Sequence, residues 1–257
     1  DMRYFIDMAY CGGPYHGWQV QPGAETVQEV LEKALATLVR RGPVAVTGAG
    51  RTDAGVNARR MIAHVDLPDG FDPREGRFLR ALNSICGRHI AVYSFTEVDA
   101  GAHARFDATE RIYRYFVHTT KDPFALGGLS WAVPGGLDFD AMNEAGDLLI
   151  GRRDFTSFSK LHTDVKTNIC DLRKARWHAV EGQPGRWYFE ITADRFLRNM
   201  VRAVVGTLAV VGRGKMRPEG VLEILEARDR CAAGTSVPGE ALFLWDVKYP
   251  YYDAPAR

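Results

Sequence analysis

Hydrophobic positions along this chain follow two periods, and the order in which those periods alternate predicts an α+β protein. The run Tyr4 to Tyr10 reads as an opening strand, turned at its end by Gly12-Gly13-Pro14. From Val27 the spacing changes to threes and fours. Val27, Val30, Leu31, Ala34, Leu35, Leu38 and Val39 share one face of a helix, which opens on the capping box Thr26-Val-Gln-Glu29. Two short strands follow, Val44 to Thr47 and Met61 to Val65, separated by a glycine-rich turn; then come a helix over about residues 74–85 and a strand from Ile90 to Val98. A second series contains a strand from Ile112 to Thr119, a helix from Phe139 to Ile150, and long strands from Asp171 to Ala179 and Arg186 to Ala193. It ends with a helix from Phe196, a short helix opened by Pro218 and a closing strand from Leu242 to Val247. Both halves read as strands packed under helices. The division near Asp107 to Glu110 predicts an N-terminal α+β domain over 1–108 and a C-terminal one over 109–257, with no legible repeat or low-complexity linker.

Composition changes this picture little. With 257 residues and 46% hydrophobic content, the chain can bury a sizeable core. It contains no apolar run long enough to span a bilayer and no secretory leader pattern, so no membrane partner and a cytoplasmic location are expected. Cys11, Cys86, Cys170 and Cys231 are scattered without metal-ligand spacing and read as reduced, buried thiols; no metal and no cofactor are expected. The seven histidines, His16, His64, His89, His103, His118, His162 and His178, show no relay spacing. Net charge is only +1, but 26 of the 33 basic residues are Arg, the side chain suited to phosphates and base faces. A GC-rich genome would give the same bias. Arrangement discriminates better: on a helix beginning near Phe196, Arg195, Arg198 and Arg202 would share one face.

The chemistry concentrates at residues 48–66, where Asp53 stands beside Arg51 in a turn rich in small residues, between two strands. The spacing is neither a dinucleotide fingerprint, because an acid replaces the third glycine, nor a phosphate loop, because Lys-Ser/Thr is absent. Taken alone, Asp53 reads as an ordinary turn residue bonding its own backbone.

Seven ordered blocks change that reading. They are Tyr15-His-Gly-Trp-Gln19 with Gln21, Thr26-Val-Gln28, Gly50-Arg-Thr-Asp-Ala-Gly-Val56, Ala102-His-Ala-Arg-Phe106 with Arg111-Ile-Tyr-Arg-Tyr115, Asp154-Phe-Thr-Ser-Phe158, residues 196–206, and Leu242-Phe-Leu244. In kind and order, over some 230 residues, they resemble the TruA family of tRNA pseudouridine synthases; Gly50 to Val56 is the most specific of them. The resemblance implies two related α+β domains whose antiparallel sheets join, with the site in the cleft between them. It implies Asp53 as the catalytic aspartate, Arg51 as the side chain entering the RNA stem, Tyr113 against the uracil and Arg202 paired with Asp53. His103 and Arg105, in a matching block, would join Arg195 and Arg198 in holding RNA. tRNA is the implied partner, with three adjacent uridines on the 3′ side of the anticodon arm as targets and a homodimer as the working form. Exposed aromatics such as Trp131, Trp177 and Tyr251 are the candidates for an interface. Two positions depart from the family: Asn57 stands where His is usual, losing a titratable ring, and Ala102 replaces an aromatic.

Other classes compete with this reading. An RNA-binding module without catalysis would have no need of Asp53 in a glycine turn. A glycoside hydrolase would need a second carboxylate about 5 to 9 Å away, for which Asp154 and Asp107 are available. A synthase aimed at a different uridine is the nearest rival.

Overall fold

The structure, a computed structural model, describes residues 1–125, 128–160 and 167–257; His162 lies outside them. It is α+β, and the chain divides into two compact units: Asp1–Thr109 with Leu244–Arg257, and Glu110–Phe243. Each is built as strands with helices on one face.

In the first unit, β1 (Met2–Tyr10) lies between β4 (Ile90–Glu97) and β3 (Asn57–Leu67), antiparallel to both, and β2 (Val46–Gly48) pairs with β3. Tyr4, Ile6 and Met8 point to one face of β1, beneath α1 (Val27–Val39) and α2 (Gly76–Cys86). Thr26 caps α1 by accepting the Glu29 N–H at 3.3 Å, but the Glu29 carboxylate pairs with Lys33 at 2.8 Å. Only the threonine half of the predicted capping box is thus made. On the opposite face, Phe5 packs against Tyr249 and Tyr252 with ring centroids 5.0 and 5.2 Å away. The fully buried Asp7 accepts from Arg60 and Arg257, and Arg60 also reaches Asp246 and the Pro255 carbonyl. These buried ion pairs and rings bring Leu244–Arg257 into the first unit, a correction to the predicted second domain of 109–257.

In the second unit, β5 (Glu110–His118), β9 (Arg186–Ala193), β8 (Ile169–Ala179) and β7 (Gly151–Asp154) form an antiparallel series, with β6 (Trp131–Ala132) added parallel to β5. Neither β6 nor β7 carries a legible sequence period, being too short. The helices are α3 (Phe139–Leu148), α4 (Met200–Gly212) and α5 (Gly220–Ala227). The strand β10 (Leu242–Lys248) carries the chain from one unit into the other.

Two expectations are corrected by packing. Trp177 is buried against Phe189 and Phe139. Cys86 and Cys170 are buried as expected, but Cys11 and Cys231 are exposed. No helix of the described residues is long and apolar enough to cross a membrane.

Candidate active site

The turn between β2 and β3 is fixed from below by the blocks that precede it in sequence. Gly48 faces the Trp18 indole, where a Cβ would sit 2.7 Å from the ring. The buried Thr52 shares a 2.7 Å hydrogen bond with the Tyr10 hydroxyl, and its carbonyl accepts the Trp18 N–H at 3.2 Å. Gly17 makes that approach possible: its φ is +83°, and a Cβ there would stand 2.5 Å from the Thr52 oxygen. The Val56 N–H closes the turn onto the Asp53 carbonyl at 3.1 Å. Gln28 ties the wall together, donating to the Val46 carbonyl at 2.7 Å and accepting the Val20 N–H at 2.8 Å. Three blocks distant in sequence therefore form one cradle. It leaves Arg51 exposed and Asp53 half-buried on the rim while Thr52 points inward.

Asn57, the departure from the family pattern, is buried and accepts the Gly12 N–H at 2.8 Å. An amide oxygen serves there as a fixed acceptor that locks the Gly12 turn onto the Asp53 loop. Thr52, Tyr10 and Gln28 were not singled out as support in the sequence, because only tertiary contact reveals which hydroxyl or amide faces the loop.

His103 and Arg105 occupy a loop laid on the opposite face of the first unit's sheet. The His103 Nδ1 accepts the N–H groups of Arg105 and Phe106 at 3.2 and 3.1 Å. Its backbone N–H donates to Asp107, which also accepts from Tyr251 at 2.6 Å. Beneath lies His64, whose Nδ1 accepts the Ala104 N–H at 2.9 Å. Burial, followed by the Arg3 cation and His103, pushes the His64 pKa down to about 4 from an ordinary 6.5. Between roughly pH 6.5 and 4 the unfolded chain therefore binds the extra proton, and the stability present above that window is lost as pH falls through it. We expect the melting temperature to drop as pH is lowered from 7 to 4.5, and to drop less steeply in His64→Asn. Equal slopes would remove His64 as the cause.

In the second unit, Tyr113 and Tyr115 point to the same side of β5. Tyr115 is fully buried, donates to the Pro238 carbonyl at 2.8 Å and has its pKa raised by burial against the opposing charge of Arg202. Tyr113, nearer the strand's start, remains half-buried and meets Phe196 edge-on, with ring centroids 5.0 Å apart. The Arg202 Nε donates to the Val237 carbonyl at 2.8 Å. Tyr113's strand and Arg202's helix are thus anchored on adjacent carbonyls of one segment. That segment can lie against α4 because Gly206 lacks a Cβ, which would stand 1.8 Å from the Thr235 oxygen.

The predicted basic stripe is not a helical face. The helix begins at Met200, because Asn199 takes a left-handed φ of +66° and bonds Ser236 at 2.6 Å. Arg195 and Arg198 precede it. Arg195 is spent on the carbonyls of Thr167 and Ile169, while Arg198 is exposed; Arg202 alone lies on the helix.

The carboxylates a glycosidase would need are unsuited to acid catalysis. Hydrogen bonding from Tyr251 and the His103 N–H holds Asp107 below the usual range. Burial acts to raise Asp154, but bonds from the Thr156 hydroxyl and N–H leave it lowered as well. A general acid requires the opposite shift.

Comparison with known proteins supplies the class first. Residues 145–250 match the model of a family described as tRNA pseudouridine synthase. Relatives over nearly the full chain narrow it. Proteins named tRNA pseudouridine synthase A are 55% identical in Bacteroides thetaiotaomicron (96% of this chain, 91% of that one), 55% in Parabacteroides distasonis (96% of each) and 41% in Bacillus subtilis (98% and 100%). The chain belongs to the tRNA pseudouridine synthase A family.

Proposed function

We propose that this protein isomerises uridine to pseudouridine at three adjacent positions on the 3′ side of the tRNA anticodon arm, with Asp53 as its catalytic carboxylate. Family membership makes it an isomerase acting on tRNA uridines; the target positions and residue roles are our reading. The observation that carries the assignment of Asp53 is its place on the rim of a turn braced by Gly17, Trp18 and Gln28, a rigid mount for a reacting group.

The reaction breaks the bond from C1′ to N1, turns the uracil and forms the bond from C1′ to C5, the C5 proton leaving as N1 gains one. Atoms balance without a redox or group-transfer partner. Asp53 acts in it either by adding to C1′ or by removing a ribose proton. Arg51, exposed two residues away, is proposed to enter the stem as the target base leaves it. Tyr113 is the proposed ring against the uracil, and Arg202, as the family resemblance implies, the proposed partner of the Asp53 carboxylate. Arg198 and Arg105, both exposed, are proposed to hold phosphates. Arg195 and His103, held by protein groups, are proposed to keep the RNA-facing loops in shape. A cytoplasmic homodimer completes the proposal, on the family resemblance.

An unmodified tRNA transcript tritiated at uridine C5, incubated with the protein and with Asp53→Asn in the absence of metal or nucleotide, tests this. Release of tritium to water by the native protein alone, with the uracil retained in the polymer, is the expected result. Release of free uracil, or no release from tRNA that binds, would overturn it.

A further inference from the structure

We infer that Phe106 is a stacking platform for an unpaired base of the tRNA; this rests on tRNA being the substrate. Phe106 is 76% exposed, an unfavourable place for a phenyl ring unless something covers it. It is also held rigidly. Its inner face lies on the His103 ring, with centroids 4.0 Å apart and planes 14° from parallel, and His103 in turn meets His64 edge-on at 4.7 Å. The two N–H bonds to His103 Nδ1 fix the pillar's base, and Asp107 with Tyr251 fixes its far side. Burial lowers the His103 pKa, so the pillar is uncharged at neutral pH. What reaches solvent is one flat, immobilised ring face, with the exposed Arg105 beside it.

That geometry fits a nucleobase. Every base offers a π-face to an aromatic ring, and an adjacent guanidinium takes the phosphate or stacks in its turn. A protein partner fits poorly: one phenyl ring buries on the order of 150 to 250 Å², against about 800 Å² a side for a stable interface. A phenyl ring has no proton to give or take and no nucleophile, so its contribution should be to binding, not to the chemical step.

The test compares Phe106→Ala and Phe106→Trp with the native protein, measuring Kd for a full-length tRNA transcript, single-turnover tritium release at saturating enzyme, and melting temperature. Phe106→Ala should weaken tRNA binding by roughly 5- to 100-fold, keep its saturated rate within about twofold and melt normally; Phe106→Trp should bind as the native protein does. A Kd within twofold in Phe106→Ala overturns the inference, as does altered self-association on size exclusion with unaltered RNA binding. A native protein that binds tRNA but releases no tritium defeats the proposed reaction, and the platform is then judged on Kd alone. A native protein that binds no tRNA defeats both.

Discussion

Asp53→Asn is expected to lower the single-turnover rate of tritium release by about 10⁴-fold or more, equivalent to about 5.5 kcal/mol of transition-state stabilisation, while tRNA affinity changes only a few-fold. Asn keeps the volume of the side chain, and the turn has braces supplied by other residues. They run from Thr52 to Tyr10 and Trp18, from Asn57 to Gly12, and from Gln28 to Val46 and Val20. What the amide loses is the charge and basicity needed to add to C1′ or to take a ribose proton. Melting temperature and tRNA binding, measured beside the rate, separate this from misfolding. A residual rate within tenfold of native would place the chemistry on another residue.

Gly12→Ala carries the second large effect, and here the cause is steric. A Cβ at Gly12 would stand 2.0 Å from the Val56 carbonyl oxygen and 2.6 Å from its carbon. Neither atom is the end of a flexible side chain. Val56 is bonded back to Asp53, and its neighbour Asn57 grips the Gly12 N–H, so relief must come by moving the Asp53 turn, the proposed seat of the chemistry. A displacement of about 1 Å at a reacting group can cost about 10²-fold in rate, and overpacking of this kind costs about 1 to 3 kcal/mol of stability. Gly13→Ala is the matched control, because its Cβ would meet nothing within 4 Å. We expect Gly12→Ala to lose both rate and several degrees of melting temperature, and Gly13→Ala to lose neither. Similar behaviour of the two variants would show that the turn is not held from Gly12.

The two glycines are neighbours in sequence and identical in type, yet only one touches the site. The same contrast runs through the rest of the molecule. Tyr113 and Tyr115 share a strand face, but only Tyr115 is sealed in the core. The spacing of Arg195, Arg198 and Arg202 matched a helix that Asn199 delays until Met200. In each case a legible local period met a long-range contact, with Pro238, Thr167 or Ser236, that no local pattern encodes.

What the sequence determined by itself was therefore what depends on neighbours along the chain. The 3.6 and 2 periods place most of the strands and helices, the glycines and small residues around Asp53 mark the turn, and the ordered blocks identify the family. The tertiary structure decided which groups face one another across large sequence separations. It put the C-terminal segment on Phe5 and Asp7, set Gly12 and Asn57 as the lock behind the Asp53 loop, and turned His103 into the support of an exposed ring. Burial and hydrogen-bond satisfaction are properties of the packed chain, and a residue's partner is chosen by the space and polar groups left around it once the elements have docked.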